Sequence, residues 1–122
     1  MLVGKRLIII EDEFLIALDM KRVLEAAGAA EAVLARNFEE AAALGDSIAA
    51  FDIAILHPPP EGDRYRPVIE RILSGKLAVL VCSAFHGAVV DTPLANAVFL
   101  DKPFADAALI AACEQALAAR RA

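Results

Sequence analysis

Residues 51–63 read FDIAILHPPPEGD, an apolar run that stops at three consecutive prolines. The segment Ile53–Leu56 is wholly apolar, which is typical of a short strand covered on both faces within a parallel sheet. Proline has no backbone N–H to donate to a sheet, so the prolines predict that this strand ends at His57. Binding and catalytic residues of open α/β sheets gather at the carboxyl ends of the strands. The stretch therefore predicts a central strand with a histidine at the functional edge of the sheet.

Strand and helix patterns alternate on both sides of this stretch. Further strands are predicted at residues 5–10, 31–35, 76–82 and 97–100, and helices at 14–27, 38 to about 50, 67–73 and 106–121. Residues 85–95 contain glycine and proline, so a fourth of five helices is expected to be short or broken. Parallel strands joined by crossover helices predict an α/β fold in three layers, a doubly wound five-stranded parallel sheet. A chain of 122 residues holds one such core, so residues 1–122 are predicted to form a single domain.

The first two helices carry more specific signals. Five apolar residues of the first helix recur near a 3.6-residue period: Phe14, Leu15, Leu18, Val23 and Leu24. Gly28 follows as a typical helix stop. Asn37 is predicted to cap the second helix, with Glu40 three residues on in a variant of the capping box. Gly45 lies inside this second pattern and leaves the end of the helix uncertain.

Composition and charge exclude several classes of function. The formal net charge of −5 argues against direct nucleic-acid binding, which depends on Lys and Arg neutralising phosphates. No apolar run reaches the roughly 18 residues of a membrane span, so no membrane insertion is expected. Acidic residues follow the first apolar run without a cleavage site, which predicts a cytoplasmic protein. Cys82 and Cys113 are predicted to be buried free thiols, and no ligand spacing supports a zinc site.

Five polar residues are predicted to meet at one edge of the sheet. Glu11 and Asp12 follow the first strand, His57 the third, Ser83 the fourth and Lys102 the fifth. Because the carboxyl ends of parallel strands share an edge, these carboxylate, imidazole, hydroxyl and ammonium groups should converge there. A solvated rim of turn residues without function is the alternative, but the combination of groups favours a site.

Three segments at the ends of these strands resemble the motifs of a known family. LIIIEDE at residues 7–13, LVCSAF at 80–85 and VFLDKPF at 98–104 resemble motifs of the receiver domain of bacterial response regulators. The resemblance covers essentially the full chain and implies a flavodoxin-like receiver fold and a role in two-component signal transduction or a phosphorelay. SAF and the irregular segment after it also resemble a receiver subgroup with a reduced fourth helix.

The resemblance implies a role for each residue at the predicted edge. In the family, an acidic pair and a third aspartate hold magnesium, and that aspartate accepts a phosphoryl group from the phosphohistidine of a sensor kinase. A Thr or Ser hydroxyl and a lysine then hold the phosphoryl oxygens, and an aromatic residue on the fifth strand turns inward. By position, these roles fall on the acidic pair Glu11 and Asp12, the hydroxyl of Ser83, Lys102, and Phe99 as the switch aromatic. The phosphoacceptor position falls on His57.

His57 departs from the family at the residue that carries its chemistry. Histidine offers no carboxylate for an acyl phosphate and one hard oxygen ligand fewer for magnesium, so magnesium binding is expected to be weak or absent, with no other cofactor. His57 and Lys102 are expected to neutralise Glu11 and Asp12 internally, without a metal. The prolines after His57 lack N–H donors and stiffen the loop, which suits a structural role better than a switch. The chain is therefore predicted to be a degenerate receiver.

The expected activity is protein–protein contact, not enzymatic catalysis. The expected partner is a histidine kinase, a phosphotransfer protein or an output protein, with a homodimer as a further option. One alternative is phosphorylation at a non-standard residue, namely Asp12, Asp63 or His57. Another is a small metal-binding module in which Glu11, Asp12 and His57 are the ligands, since such a set can suit a transition metal. Lys102 favours a metal-free ion-pair cluster over that module.

Overall fold

A computed structural model of the chain describes residues 2–57, 66–75, 77–83 and 97–121, with residue 121 described by its backbone alone. The strands are β1 Arg6–Ile10, β2 Glu31–Ala35, β3 Ile53–Leu56, β4 Ala78–Ser83 and β5 Val98–Asp101. The helices are α1 Phe14–Ala26, α2 Phe38–Ala42, α3 Arg66–Ser74 and α4 Asp106–Arg121, with a 3₁₀ helix at Gly45–Ala50. No helix within the described ranges is both long and apolar enough to cross a membrane.

All described strands belong to one parallel sheet in the order β2-β1-β3-β4-β5. This is the flavodoxin-like type of doubly wound sheet, in which β2 lies on one side of β1, and β3, β4 and β5 follow in order on the other side. β3 lies in the centre, and all four of its residues are buried. The prediction of a doubly wound five-stranded parallel sheet, with FDIAIL supplying a central strand, is confirmed.

Two apolar layers cover the two faces of the sheet. On one face, α1 and α4 pack over alternate strand residues such as Ile9, Ile55 and Leu80. On the other face, α2, the 3₁₀ helix and α3 pack over the intervening residues such as Ile8 and Leu56. Successive residues of a strand point to opposite faces, so strands that are apolar throughout need a helix layer on each side. The prediction of three layers is confirmed.

Helix α1 forms where predicted but buries a different face. Its buried residues are Ala17, Met20 and Leu24. Three of the five residues that marked its apolar period are exposed: Phe14, Leu15 and Leu18. The small side chain of Ala17 lies on the buried side of α1, and the bulky residues of the first turns point outward. Gly28, at φ 107°, follows the helix as expected.

The second predicted helix is interrupted. α2 ends at Ala42, and Gly45 has φ 55°, which a residue with a β-carbon rarely adopts. The prediction of one helix from residue 38 to about 50 is therefore wrong, because the glycine divides it into α2 and the 3₁₀ helix. The cap is confirmed, since Oδ1 of Asn37 accepts a hydrogen bond from the backbone N–H of Glu40 at 2.8 Å. The Glu40 carboxylate reaches back to the backbone N–H of Arg36, one residue before the cap, at 2.7 Å.

The observed limits of β1, β4 and β5 differ from the predicted ones by one or two residues. The irregular segment at 85–95 lies outside the described residues.

Both cysteines are buried in the core layer between the sheet and α4, as predicted. Burial raises the pKa of both thiols, Cys82 and Cys113, to about 12. A thiol reagent attacks the thiolate, so at pH 8 we expect native protein to react with Ellman's reagent roughly a thousandfold more slowly than unfolded protein. Release of the coloured product, followed with and without denaturant, measures this ratio. Equal rates in the two states would contradict the burial of these thiols.

Candidate functional site

The carboxyl edge of the sheet brings four of the predicted site residues to the ends of four strands. Glu11 follows β1, His57 follows β3, Ser83 is the last residue of β4, and Lys102 follows β5. Backbone hydrogen bonds between neighbouring strands continue to the residues that follow β3 and β5. The N–H of His57 donates to the carbonyl of Ile10 at 3.4 Å, and the N–H of Lys102 donates to the carbonyl of Ser83 at 3.0 Å.

An ion pair joins the two outer members of this group. Nζ of Lys102 donates to Oε1 of Glu11 at 2.6 Å, between residues 91 positions apart in the chain. Glu11 is only 3% exposed and Lys102 is 23% exposed at its side chain. The second oxygen of Glu11, Oε2, accepts a hydrogen bond from the backbone N–H of Glu13 at 3.1 Å. Charge-assisted bonds of this kind are short and strong, so the Glu11 carboxylate is held by two donors of this chain.

Asp12 stands beside this pair at the protein surface. The neighbouring Glu11 side chain is the main cause that holds the pKa of Asp12 below its usual value, against a smaller opposing effect of burial. The positive charges of His57 and Lys102 lower the pKa of Asp12 further. The Asp12 carboxyl is therefore kept ionised at an edge that also holds two basic groups.

Glu13 is a third carboxylate that the sequence interpretation did not include in the site. Ligand oxygens of Glu11, Asp12 and Glu13 all lie within 4.8 Å of one another. The signal was present as the acidic run EDE, but the resemblance assigned a role only to its first two residues. Glu13 also takes part through its backbone, which binds Glu11.

His57 is half-buried and packs against an aromatic ring of α2. The ring centroids of His57 and Phe38 are 5.6 Å apart, with an interplanar angle of 67°, an edge-to-face arrangement. Phe38 is buried and is the first residue of α2. The sequence did not predict this contact. Phe38 and His57 are 19 residues apart in the chain, and no local pattern shows that their rings meet.

Ser83 and Phe99 lie on the strands to which the sequence assigned them. Ser83 is buried at the end of β4, and Phe99 is half-buried on β5, against the core layer formed with α3. Their roles as phosphoryl contact and switch aromatic stay predictions. The Lys102–Pro103 peptide bond is cis.

The donor set at this edge is a poor fit to magnesium. Magnesium demands near-octahedral oxygen coordination, and both oxygens of Glu11 already accept hydrogen bonds. His57 presents ring nitrogen where the family supplies a carboxylate oxygen. Among the described residues, the group that could hold a metal contains Glu13 and not His57, unlike the ligand set predicted for a metal-binding module.

The chain matches no protein-family model and no curated protein sequence. A response regulator receiver protein from Sinorhizobium medicae is 27% identical, with a TM-score of 0.74 over 96% of this chain and 97% of that chain. This chain has the receiver-domain fold of response regulators. The receiver fold is also seen in a receiver domain protein from Clostridium thermocellum, 19% identical, with a TM-score of 0.74 over 96% of this chain and 97% of that chain.

A longer response regulator contains the same receiver fold. PhyR from Brucella abortus is 26% identical, with a TM-score of 0.74, and the match covers 98% of this chain and 50% of PhyR. This receiver-like chain therefore corresponds to half of that protein.

Proposed function

We propose that this chain is a degenerate receiver domain of two-component signal transduction. In this proposal it is not phosphorylated after β3 and acts through contact with a protein partner, not as an enzyme. The observation that carries the proposal is the buried ion pair between Glu11 and Lys102, beside His57 at the acceptor position. Its expected setting is the cytoplasm, and its expected partner is a histidine kinase, a phosphotransfer protein or an output protein.

The chemistry of His57 supports this proposal. A receiver forms an acyl phosphate on an aspartate carboxylate, and an imidazole cannot form that bond. The ring of His57 is also held edge-on to Phe38, on the side of the sheet that faces α2. The position after β3 thus contains a packed ring in place of a nucleophilic carboxylate.

The charges at the edge support the absence of a tightly bound magnesium ion. The Lys102 ammonium already lies 2.6 Å from Glu11. Two unit charges about 4 Å apart interact by about 4 kcal/mol at an effective dielectric constant near 20. An entering divalent cation would therefore meet the repulsion of Lys102, and of a protonated His57, at a site that has lost a carboxylate. The internal ion pair replaces the ion.

Incubation with magnesium and acetyl phosphate tests the proposal directly. We expect intact-mass measurement to find no phosphoryl adduct, since no carboxylate stands at position 57. Beryllofluoride, a phosphoryl mimic, is expected to leave the backbone amide resonances of Ser83 and Lys102 unchanged. The His57→Asp variant, treated in parallel, is the matched control for reagent and conditions. A stable adduct on the unaltered chain, or shifts at those two amides, would overturn the proposal.

Phosphorylation at another residue is the first alternative. Asp12 is exposed at the edge and ionised, while Asp63 lies outside the described residues. Peptide mapping of any adduct separates Asp12 from the other two residues, and fragment-ion sequencing of the peptide that contains both His57 and Asp63 distinguishes those two.

A metal-binding module is the second alternative, and the convergence of Glu11, Asp12 and Glu13 within 4.8 Å is the observation that favours it. Titration with zinc or manganese, followed by NMR of the His57 ring and of the backbone amides of residues 11–13, tests the module against the degenerate receiver. A saturable shift at His57 would support the module with Glu11, Asp12 and His57 as ligands. A shift confined to the amides of residues 11–13 would support a module with the three carboxylates as ligands, and unchanged signals at both places would support the degenerate receiver.

A further inference from the structure

Helix α1 turns a cluster of large apolar side chains to solvent. Leu15 is 79% exposed, Phe14 59% and Leu18 40%, and together they are three of the five exposed large apolar residues among those described. The opposite side of α1 is buried in the core through Ala17, Met20 and Leu24. Single exposed apolar residues are ordinary, but a cluster on one helix indicates an interaction surface.

Four exposed residues form a line along the middle of this outer face: Leu15, Asp19, Arg22 and Ala26. Their spacing of four, three and four residues places them on one stripe of a 3.6-residue helix. The ends of the stripe are apolar, one large and one small, and the middle holds a negative and a positive charge. Within one chain, Arg22 and Asp19 already form a salt bridge across one turn.

The stripe is complementary to itself when a second copy of the helix runs in the opposite direction. Residue numbers that face each other then add to the same sum, so Leu15 faces Ala26 of the second copy and Asp19 faces its Arg22. A large side chain meets a small one twice, and opposite charges meet twice. This is the pattern of a two-fold interface, in which the same patch serves both subunits. A parallel arrangement of the two helices would place Leu15 against Leu15 and like charges together.

A groove next to the stripe adds room for the second copy. It has a volume of about 440 Å³ and lies between α1 and α4. Val23 and Ile110 contribute apolar walls, and Ala26 at the end of the stripe is part of its lining. Leu15 of an antiparallel second copy would reach Ala26 at the rim of this groove. By symmetry the same contact forms at the other end of the interface, so both Leu15 side chains would be removed from water.

We propose that this chain forms a two-fold symmetric dimer through an antiparallel contact of α1 with α1 of a second copy. This dimer rests on the proposed function only in that it identifies a second copy of the chain as the partner for one face of the proposed signalling domain. The contact itself depends on α1 and not on His57. One helix stripe per subunit is a small interface, so the dimer is weak, with a Kd on the order of 100 μM. Phosphorylation of the unaltered chain would overturn the proposed function and leave this contact untouched.

Sedimentation equilibrium over a range of protein concentrations tests the dimer. Unaltered protein is expected to shift from monomer to dimer as its concentration passes the Kd. Leu15→Glu is expected to raise the Kd at least tenfold, since a charge would face Ala26 of the second copy. Leu73→Glu is the matched control, because Leu73 is an exposed leucine on α3, away from the stripe. The dimer Kd of this variant should equal that of the unaltered chain. Monomer at every concentration up to the solubility limit, or equal effects of the two changes, overturns the proposal.

Charge reversal tests the antiparallel pairing itself. Asp19→Arg and Arg22→Asp should each abolish self-association, because each places like charges opposite each other. Mixing the two variants should restore a dimer with one chain of each kind, since both charge pairs are then opposite in sign. Recovery in the mixture also shows that the single variants are folded. Failure of the mixture to associate, with both variants folded by circular dichroism, overturns the antiparallel contact.

Discussion

Lys102→Met is expected to lower the free energy of unfolding by about 3–5 kcal/mol, because it leaves a buried carboxylate without its partner. Glu11 is 3% exposed and receives its strongest hydrogen bond, at 2.6 Å, from Lys102. The remaining donor, the backbone N–H of Glu13, does not neutralise the charge. Methionine keeps much of the length of the lysine side chain, so the loss reports on charge and not on packing. Equilibrium unfolding in urea, followed by far-UV circular dichroism, gives the free energy directly.

Two further variants separate the buried pair from ion pairs in general. Arg36→Met breaks the pair between Arg36 and Glu40 on the surface and should leave stability nearly unchanged, since exposed pairs are screened by water and salt. Glu11→Gln combined with Lys102→Met removes both charges and should recover part of the loss. If Lys102→Met cost less than about 1 kcal/mol, the range of an exposed pair, the ion pair would not be the element that holds this edge.

His57→Asp is expected to make the stability of the domain depend on magnesium. The change supplies an oxygen ligand beside Glu11 and Asp12 and removes an imidazole whose positive charge acts on Asp12. A ligand that binds only the folded state at one hundred times its Kd raises the free energy of unfolding by about 2.7 kcal/mol. If the Kd of the unaltered chain for magnesium lies above the magnesium concentration, its free energy of unfolding should rise by less than about 0.4 kcal/mol. Urea unfolding with and without magnesium measures both values.

His57→Asn is the matched control for this prediction, because asparagine has the size of aspartate without its charge. It should stay insensitive to magnesium. We also expect acetyl phosphate to modify His57→Asp only in part, because the three prolines after position 57 remain and offer no N–H to a phosphoryl group. A magnesium response in His57→Asn equal to that of His57→Asp would show that position 57 does not control the site.

Local patterns of residues were enough to predict the architecture. The apolar run of β3 is bounded by prolines, and the other strands follow the same alternation with helices, so a parallel sheet with helices on both faces was accessible from the chain alone. The cap at Asn37 was also accessible, because a capping bond joins residues three apart. The break at Gly45 was not, since a glycine inside a helical pattern is tolerated in some helices and ends others.

The face that α1 buries also depended on the assembled molecule. The apolar period of α1 included residues around much of the helix, and the small Ala17 proved to be buried while Leu15 is exposed. Periodicity counts apolar residues, but it does not show which of them the close packing of the folded chain buries. The stripe on the outer face of α1 emerged only once its exposure was known.

The sequence identified most of the residues that meet at the carboxyl edge, though not Glu13, because strand ends of a parallel sheet share that edge whatever their partners. It did not indicate which carboxylate of the EDE run would bind Lys102, nor that Phe38 would lie against His57. The folded chain selects Glu11, 91 residues from Lys102, and leaves Asp12 at the surface. Pairing at such a separation is decided by strand order and side-chain direction, which local patterns do not contain. The histidine after FDIAIL could thus be placed from the chain, while the ion pair beside it required the tertiary structure.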